Sequence, residues 1–143
     1  AARDLVAEVD VPGRDIEWKL LQSALAADYA AYRYTATLKA RPVRTELREL
    51  MFSAPGYEGE ILARASGFAA GIRLARELGN LPPNICNPAY IAQQAHALAA
   101  AESGVSVEVL ERGEMQALGM GALLAVGQGS ANPPRLVVLR WSG

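Results

Sequence analysis

Few side chains in this sequence could perform chemistry, and they lie far apart in the chain. There is one histidine, His96, and one cysteine, Cys86. A zinc or other transition-metal site needs several Cys, His, Asp or Glu ligands that converge on one point. We expect His96 to face solvent, off the apolar stripe of its helix, and Cys86 to be a small packed side chain rather than a nucleophile.

The carboxylates are unevenly distributed along the chain. The four aspartates all fall within the first 28 residues: Asp4, Asp10, Asp15 and Asp28. A carboxylate-bridged metal pair in the second half would therefore have to be built from glutamates. The glutamates Glu108, Glu111 and Glu114 are expected to be solvated surface charges. We assign no catalytic, cofactor-binding or metal-binding residue to this chain.

A glycine-containing segment, Gly127-Gln128-Gly129-Ser130, raises the possibility of a nucleotide site. It follows a predicted helix and precedes a predicted strand, whereas a dinucleotide fingerprint runs strand, glycine loop, helix. No Gly-Lys-Ser/Thr sequence of a phosphate-binding loop is present. We therefore expect these glycines to permit tight turns, and Ser130 lacks the neighbouring base of a nucleophile.

Composition is that of an ordinary globular protein. The 143 residues are 51% hydrophobic and 20% charged, with a formal net charge of -1. This balance gives no support to nucleic-acid binding, and no apolar run approaches the roughly 18 residues of a membrane span. A single cysteine fits a reducing compartment, and no secretory signal is visible at the N-terminus, so a cytoplasmic location is expected.

The first half reads as two helices with a short strand between them. Asp15 is expected to cap a helix running from Ile16 to about Tyr34, broad enough in its apolar face to pack on two sides and ended by Arg41-Pro42. Its aromatic residues are predicted to be core or interface residues rather than a platform for nucleic-acid bases. They are Trp18, Tyr29, Tyr32 and Tyr34.

The strand is predicted over residues 47–54, closed by Pro55-Gly56. A helix of about twenty residues then follows Tyr57, and Gly79 is expected to end it in a left-handed conformation. The proline pair after Leu81 prevents this helix from continuing. Its predicted apolar stripe comprises Ile61, Ala65, Phe68, Ile72, Ala75 and Leu78.

The second half alternates helices and strands. Asn87-Pro88 predicts the start of a helix, and the alternating valines from Val105 to Val109 predict a strand. Short helices are expected over 114–118 and 121–126, broken by Gly119. The apolar run within 135–141 is typical of a strand buried on both faces. Strand, helix, strand predicts a βαβ unit, the opening of a mostly parallel α/β sheet.

Two blocks carry a resemblance to a known family. They are the segment from Asn80 to Pro88 (Asn-Leu-Pro-Pro-Asn-Ile-Cys-Asn-Pro) and the segment from Leu118 to Ser130 (Leu-Gly-Met-Gly-Ala-Leu-Leu-Ala-Val-Gly-Gln-Gly-Ser). Together they resemble the leucyl aminopeptidase, or cytosol aminopeptidase, family. The resemblance implies an α/β fold with residues 1–56 ending an N-terminal domain, 57–79 forming a connecting helix and 80–143 beginning a catalytic domain.

The same resemblance implies a metallo-exopeptidase of the cytoplasm that acts on peptide substrates. Members use two divalent metal ions, Mn or Zn, to remove N-terminal residues, and they assemble as hexamers. Their ligands belong to motifs of the type Gly-Lys-Gly-x-Thr-Phe-Asp-Ser-Gly-Gly and Asn-Thr-Asp-Ala-Glu-Gly-Arg, neither of which occurs in these 143 residues. The chain alone is thus predicted to be inactive. The alternative is a non-catalytic scaffold or oligomerisation module.

Overall fold

The computed structural model describes residues 11–38 and 49–143 of the 143-residue chain. The chain divides after Asn80 into two compact units, each with its own internal packing. Within the described ranges, no helix is both long enough and apolar enough to cross a membrane. In chain order the elements are α1 (Ile16–Ala31), α2 (Ile61–Asn80), α3 (Pro88–Ala101), β1 (Val105–Leu110), α4 (Arg112–Ala117), α5 (Gly121–Val126), a 3₁₀ turn (Gly127–Gly129) and β2 (Leu136–Trp141).

The start of α1 confirms the predicted cap. The Asp15 carboxylate accepts a hydrogen bond of 2.7 Å from the backbone N–H of Trp18, which satisfies one of the free donors of the first turn. The helix ends at Ala31 rather than near Tyr34. Arg33 explains this earlier end, because its guanidinium donates to the carbonyl oxygens of Ala30 (2.6 Å) and Tyr32 (2.7 Å). The predicted stop at Arg41-Pro42 lies outside the described residues.

The short strand predicted over residues 47–54 is wrong over its described part. Residues 49–54 form no strand, and residues 47–48 lie outside the described ranges. Helix α1 packs on α2, and no sheet is formed by the described residues of the first unit. The expectation that α1 packs against a sheet therefore gains no support from these ranges.

Helix α2 has the predicted length of 20 residues but ends differently. Gly79 stays within the helix and has no positive φ angle, so the predicted left-handed stop is wrong. Leu81-Pro82 follows directly, and a residue before proline is disfavoured in helical geometry. The proline, not the glycine, accounts for the end of this helix.

The apolar stripe predicted on α2 is only partly buried. Ile61 and Ala65 are buried, whereas Phe68 and Ile72 are 52% and 41% exposed. The contact with α1 therefore uses the first part of the stripe and leaves these two large side chains open to solvent.

The second unit contains the two strands, and their pairing corrects the predicted sheet. The fold class, α/β, is confirmed, but β1 and β2 pair antiparallel, with Val105 opposite Trp141 and Leu110 opposite Leu136. A parallel crossover must carry the chain back along the full length of the strand, about 20 Å for six residues. The connecting segment instead returns to the end of β1 where it began, through two six-residue helices.

The alternation of β1 is as predicted, with Val105, Val107 and Val109 more buried than Ser106 and Glu108. Strand β2 is not buried on both faces. Its first three residues are half-buried, while Leu139 and Trp141 are 47% and 79% exposed. Helix α3 packs against both strands.

Candidate functional site

The first unit contains a groove of about 390 Å³ between α1 and α2. Five of its twelve lining residues are alanines from the two helices, and larger apolar side chains come from Leu50, Phe52 and Leu62. Its polar groups include Glu49 and the ion pair between Asp28 and Arg73. The Asp28 side chain is only 14% exposed, and its hydrogen bond with Arg73 raises the pKa of that guanidinium. The two opposite charges balance each other within the groove.

Arginine guanidinium groups lie over aromatic rings of α1 and of Tyr32, the residue that follows it. The Arg76 guanidinium lies 4.3 Å from the Tyr29 ring centre and 3.8 Å from that of Tyr32. Arg14 lies 5.0 Å from the Trp18 ring centre. These three rings therefore hold cations of the same chain. Tyr29 is 65% exposed, so of the two predicted positions, core or interface, it does not occupy the core.

The block from Asn80 to Pro88 forms a tight turn that leads directly into α3. The Pro82 carbonyl accepts from the backbone N–H groups of both Ile85 and Cys86, each at 2.9 Å. The Asn87 side chain then accepts from Tyr90 N at 3.1 Å, which confirms the predicted cap with proline at the start of the helix. Cys86 is half-buried and carries a free thiol. These hydrogen bonds shape the turn and fix the first residues of the helix.

The glycine-rich block begins with a tightly closed helix end. Gly119 has a φ of +72°, Met120 N–H donates to the Met115 carbonyl at 3.0 Å, and Gly119 N–H donates to that of Gln116 at 3.0 Å. This is the Schellman pattern, in which a glycine in the left-handed region satisfies the last carbonyls of a helix. The predicted break at Gly119 is confirmed.

The second part of the block, from Gly127 to Ser130, also has a structural explanation. A side chain at Gly127 would meet the ring of Pro134 at 3.0 Å, closer than ordinary carbon contacts. The Ser130 hydroxyl accepts from Asn132 N at 3.1 Å within the turn that leads to β2. The order is helix, glycine turn, strand, as predicted, which is the reverse of a dinucleotide site.

Three glutamates of the second unit, Glu108, Glu111 and Glu114, have specific partners that the sequence did not indicate. Glu108 pairs with Arg140 across the strands at 2.7 Å, and Glu111 pairs with Arg135 at 3.0 Å. Glu111 and Glu114 also form a reciprocal capping box at the start of α4. The prediction of simply solvated charges is therefore incomplete. A Glu-x-x-Glu spacing before α4 could have indicated the box, whereas the arginine partners depend on the strand register.

The predicted site candidates do not come together. His96 is exposed on α3, as predicted. Among residues 11–38 and 49–143, no group of three or more His, Cys, Asp or Glu side chains is placed to hold a metal ion. The part of the chain described by the structure thus does not fit a two-metal centre.

Comparison with known proteins identifies the family. Residues 73–143 match the model of the cytosol aminopeptidase family, catalytic domain. A probable cytosol aminopeptidase of Stenotrophomonas maltophilia (strain K279a) is 49% identical over 139 residues, or 96% of this chain. The chain belongs to the cytosol aminopeptidase family. It spans 28% of the length of that relative.

Solved structures agree with this family membership. The chain superposes on a leucine aminopeptidase mutant from tomato with a TM-score of 0.81 at 28% identity, covering 93% of this chain and 28% of that one. The bottromycin maturation enzyme BotP in complex with Mn gives a TM-score of 0.79 at 30% identity, covering 94% and 28% of the two chains. This cytosol aminopeptidase segment therefore has the same local fold as the matching parts of these two proteins.

Proposed function

We propose that this chain forms part of a metal-dependent leucyl aminopeptidase, a hydrolase that removes N-terminal residues from peptides. The observation that carries the proposal is the 49% identity to a probable cytosol aminopeptidase over 96% of the chain. Structural likeness to the tomato leucine aminopeptidase mutant, with a TM-score of 0.81, supports it independently.

The proposed place of the chain within that enzyme is the end of the N-terminal domain, a connecting helix and the start of the catalytic domain. Residues 1–56, 57–79 and 80–143 are assigned to these parts. Support comes from the match of residues 73–143 to the catalytic-domain model and from the division of the chain after Asn80.

The chemistry proposed for the whole enzyme requires two divalent cations, Mn or Zn. Such ions lower the pKa of a bound water and polarise the scissile carbonyl. A solved relative is described in complex with Mn. The described residues of this chain do not fit the ion pair, because they bring no three His, Cys, Asp or Glu side chains together. We infer that the ligands come from elsewhere in the enzyme and that the 143 residues alone are inactive.

The contribution of this chain is structural in this proposal. The cap at Asn87, the turn at Gly119 and the capping box at Glu111 fix the start of α3 and the ends of α4. These devices hold the backbone of the second unit through local hydrogen bonds. They would provide a fixed platform for the ligand-bearing segments of the enzyme.

A chimera tests the proposed placement. The segment of the Stenotrophomonas maltophilia relative that matches this chain is replaced by these residues, and hydrolysis of leucine p-nitroanilide is measured with added Mn²⁺. We expect the chimera to retain activity within about tenfold of its parent, which is a loss of about 1.4 kcal/mol or less in transition-state stabilisation. A folded chimera with no metal-dependent turnover would contradict the proposal.

The isolated chain tests the inferred inactivity. It should give no turnover of leucine p-nitroanilide with Mn²⁺ or Zn²⁺, and calorimetric titration with either ion should show no tight binding. The unmodified relative, assayed beside it, is the positive control. Turnover that chelation abolishes would show that the chain carries its own metal site.

We also propose that the protein is cytoplasmic and forms homo-oligomers. The names of its relatives as cytosol aminopeptidases support the location. Exposed apolar residues on α2, Phe68 and Ile72, are candidate contact surface. Size-exclusion chromatography with light scattering checks the assembly. A soluble oligomer of defined size from the isolated chain would favour the scaffold alternative, and a monomer at all concentrations would contradict self-association by this segment.

A further inference from the structure

We draw no further inference here: the strongest candidate, the groove of about 390 Å³ between α1 and α2 with the Asp28–Arg73 ion pair on its wall, is an open surface, and nothing in the structure shows what covers it.

Discussion

The two units of this chain are stabilised by different kinds of contact. In the first, long polar side chains connect α1 and its flanking residues to the second helix or the turn before it: Asp28 with Arg73, Tyr29 and Tyr32 with Arg76, Tyr32 with Asn80, and Glu17 with Tyr57. In the second, helix caps, a glycine turn and the pairing of six residues in each strand act together with two ion pairs, Glu108–Arg140 and Glu111–Arg135. Contacts between long side chains of two helices thus distinguish the first unit, whereas a glycine turn and strand pairing distinguish the second.

The two units also differ in the size of the side chains that they bury completely. The buried apolar residues of the described first unit are Leu20, Ile61 and Ala65, and those of the second are Ala92, Ala95 and Met115. Among the described residues only Met115 is a fully inaccessible large side chain, and it belongs to the short helix α4. A single large side chain therefore anchors a helix that is too short to be stable by itself.

The largest expected effect comes from removing that anchor. Replacing Met115 with alanine should lower the free energy of unfolding of the second unit by about 2–5 kcal/mol, because a buried side chain is lost and a cavity remains. Hydrogen exchange should show lost protection in α4 and β1, while the amides of α1 and α2 keep theirs. Met51→Ala is the matched control, since Met51 is 71% exposed and its truncation should cost little.

Two other outcomes of the Met115→Ala experiment would contradict separate stabilisation of the two units. If Met115→Ala destabilised α1 and α2 as much as α4 and β1, the two units would unfold together and the division after Asn80 would have no energetic meaning. Equal costs for the variants at Met115 and Met51 would show that burial of the first does not stabilise α4.

The second prediction tests the dependence on backbone conformation. Gly119→Ala should cost about 1–2 kcal/mol, because a Cβ atom is strained at a φ of +72° even though the site has open space around it. Gly121→Ala, two residues away, is the control. Gly121 starts α5, no neighbouring atom lies within 4 Å of where its Cβ would stand, and the substitution should be neutral or stabilising.

Thermal unfolding of the two glycine variants measures both effects in one experiment. Opposite signs would confirm that conformation rather than space decides the outcome. Destabilisation by both substitutions to the same extent would indicate instead that glycine is needed for flexibility throughout this segment.

The third prediction concerns the side-chain contacts of the first unit. Arg76→Ala should lower stability by about 1 kcal/mol, since it removes the cation from two tyrosine rings in an exposed setting. It also removes the hydrogen bond of 3.4 Å that the Arg76 guanidinium donates to the Tyr29 carbonyl oxygen, so amide exchange should accelerate at the end of α1. Arg64→Ala on the same helix is the control and should be close to neutral. Equal effects of the two variants would mean that the stacked geometry adds nothing.

Much of the fold was predictable because its signals are local. The caps at Asp15 and Asn87, the alternation of Val105, Val107 and Val109, and the break at Gly119 each depend on a few neighbouring residues, and the structure confirms them. The family was equally accessible, because two blocks of sequence were sufficient to indicate it.

The errors arose where distant residues decide the outcome. The antiparallel register of β1 and β2 depends on the path of the connecting segment, which periodicity does not encode. The exposure of Phe68 and Ile72 depends on which side of α2 meets α1. The assignment of no catalytic or metal-binding residue to this chain came from counting possible ligands in the sequence, and it stays a prediction. Where those side chains lie relative to one another depends on the three-dimensional fold.

The smallest expected effect concerns the pH dependence of the first unit. The Tyr57 hydroxyl accepts from Ile61 N at 3.2 Å and donates to the Glu17 carboxylate at 3.1 Å. Burial first, and then the nearby Glu17 charge, raises the pKa of Tyr57 above its ordinary value of 10.0. A raised pKa means that the protonated phenol is favoured in the folded state, so its contribution is fully present below pH 10 and is lost as the pH rises through the folded-state pKa.

Subtracting the profile of Tyr57→Phe from that of the parent protein isolates this contribution from that of Tyr32, whose pKa is also raised. The difference in unfolding free energy should be constant at neutral pH and should shrink above pH 10. Glu17→Gln removes the negative charge, which lowers the folded-state pKa of Tyr57, and should therefore move the end of the decline to lower pH. A flat difference at alkaline pH would show that the pKa of Tyr57 is the same in the folded and unfolded states, so that its contact with Glu17 contributes nothing to the pH dependence of the first unit.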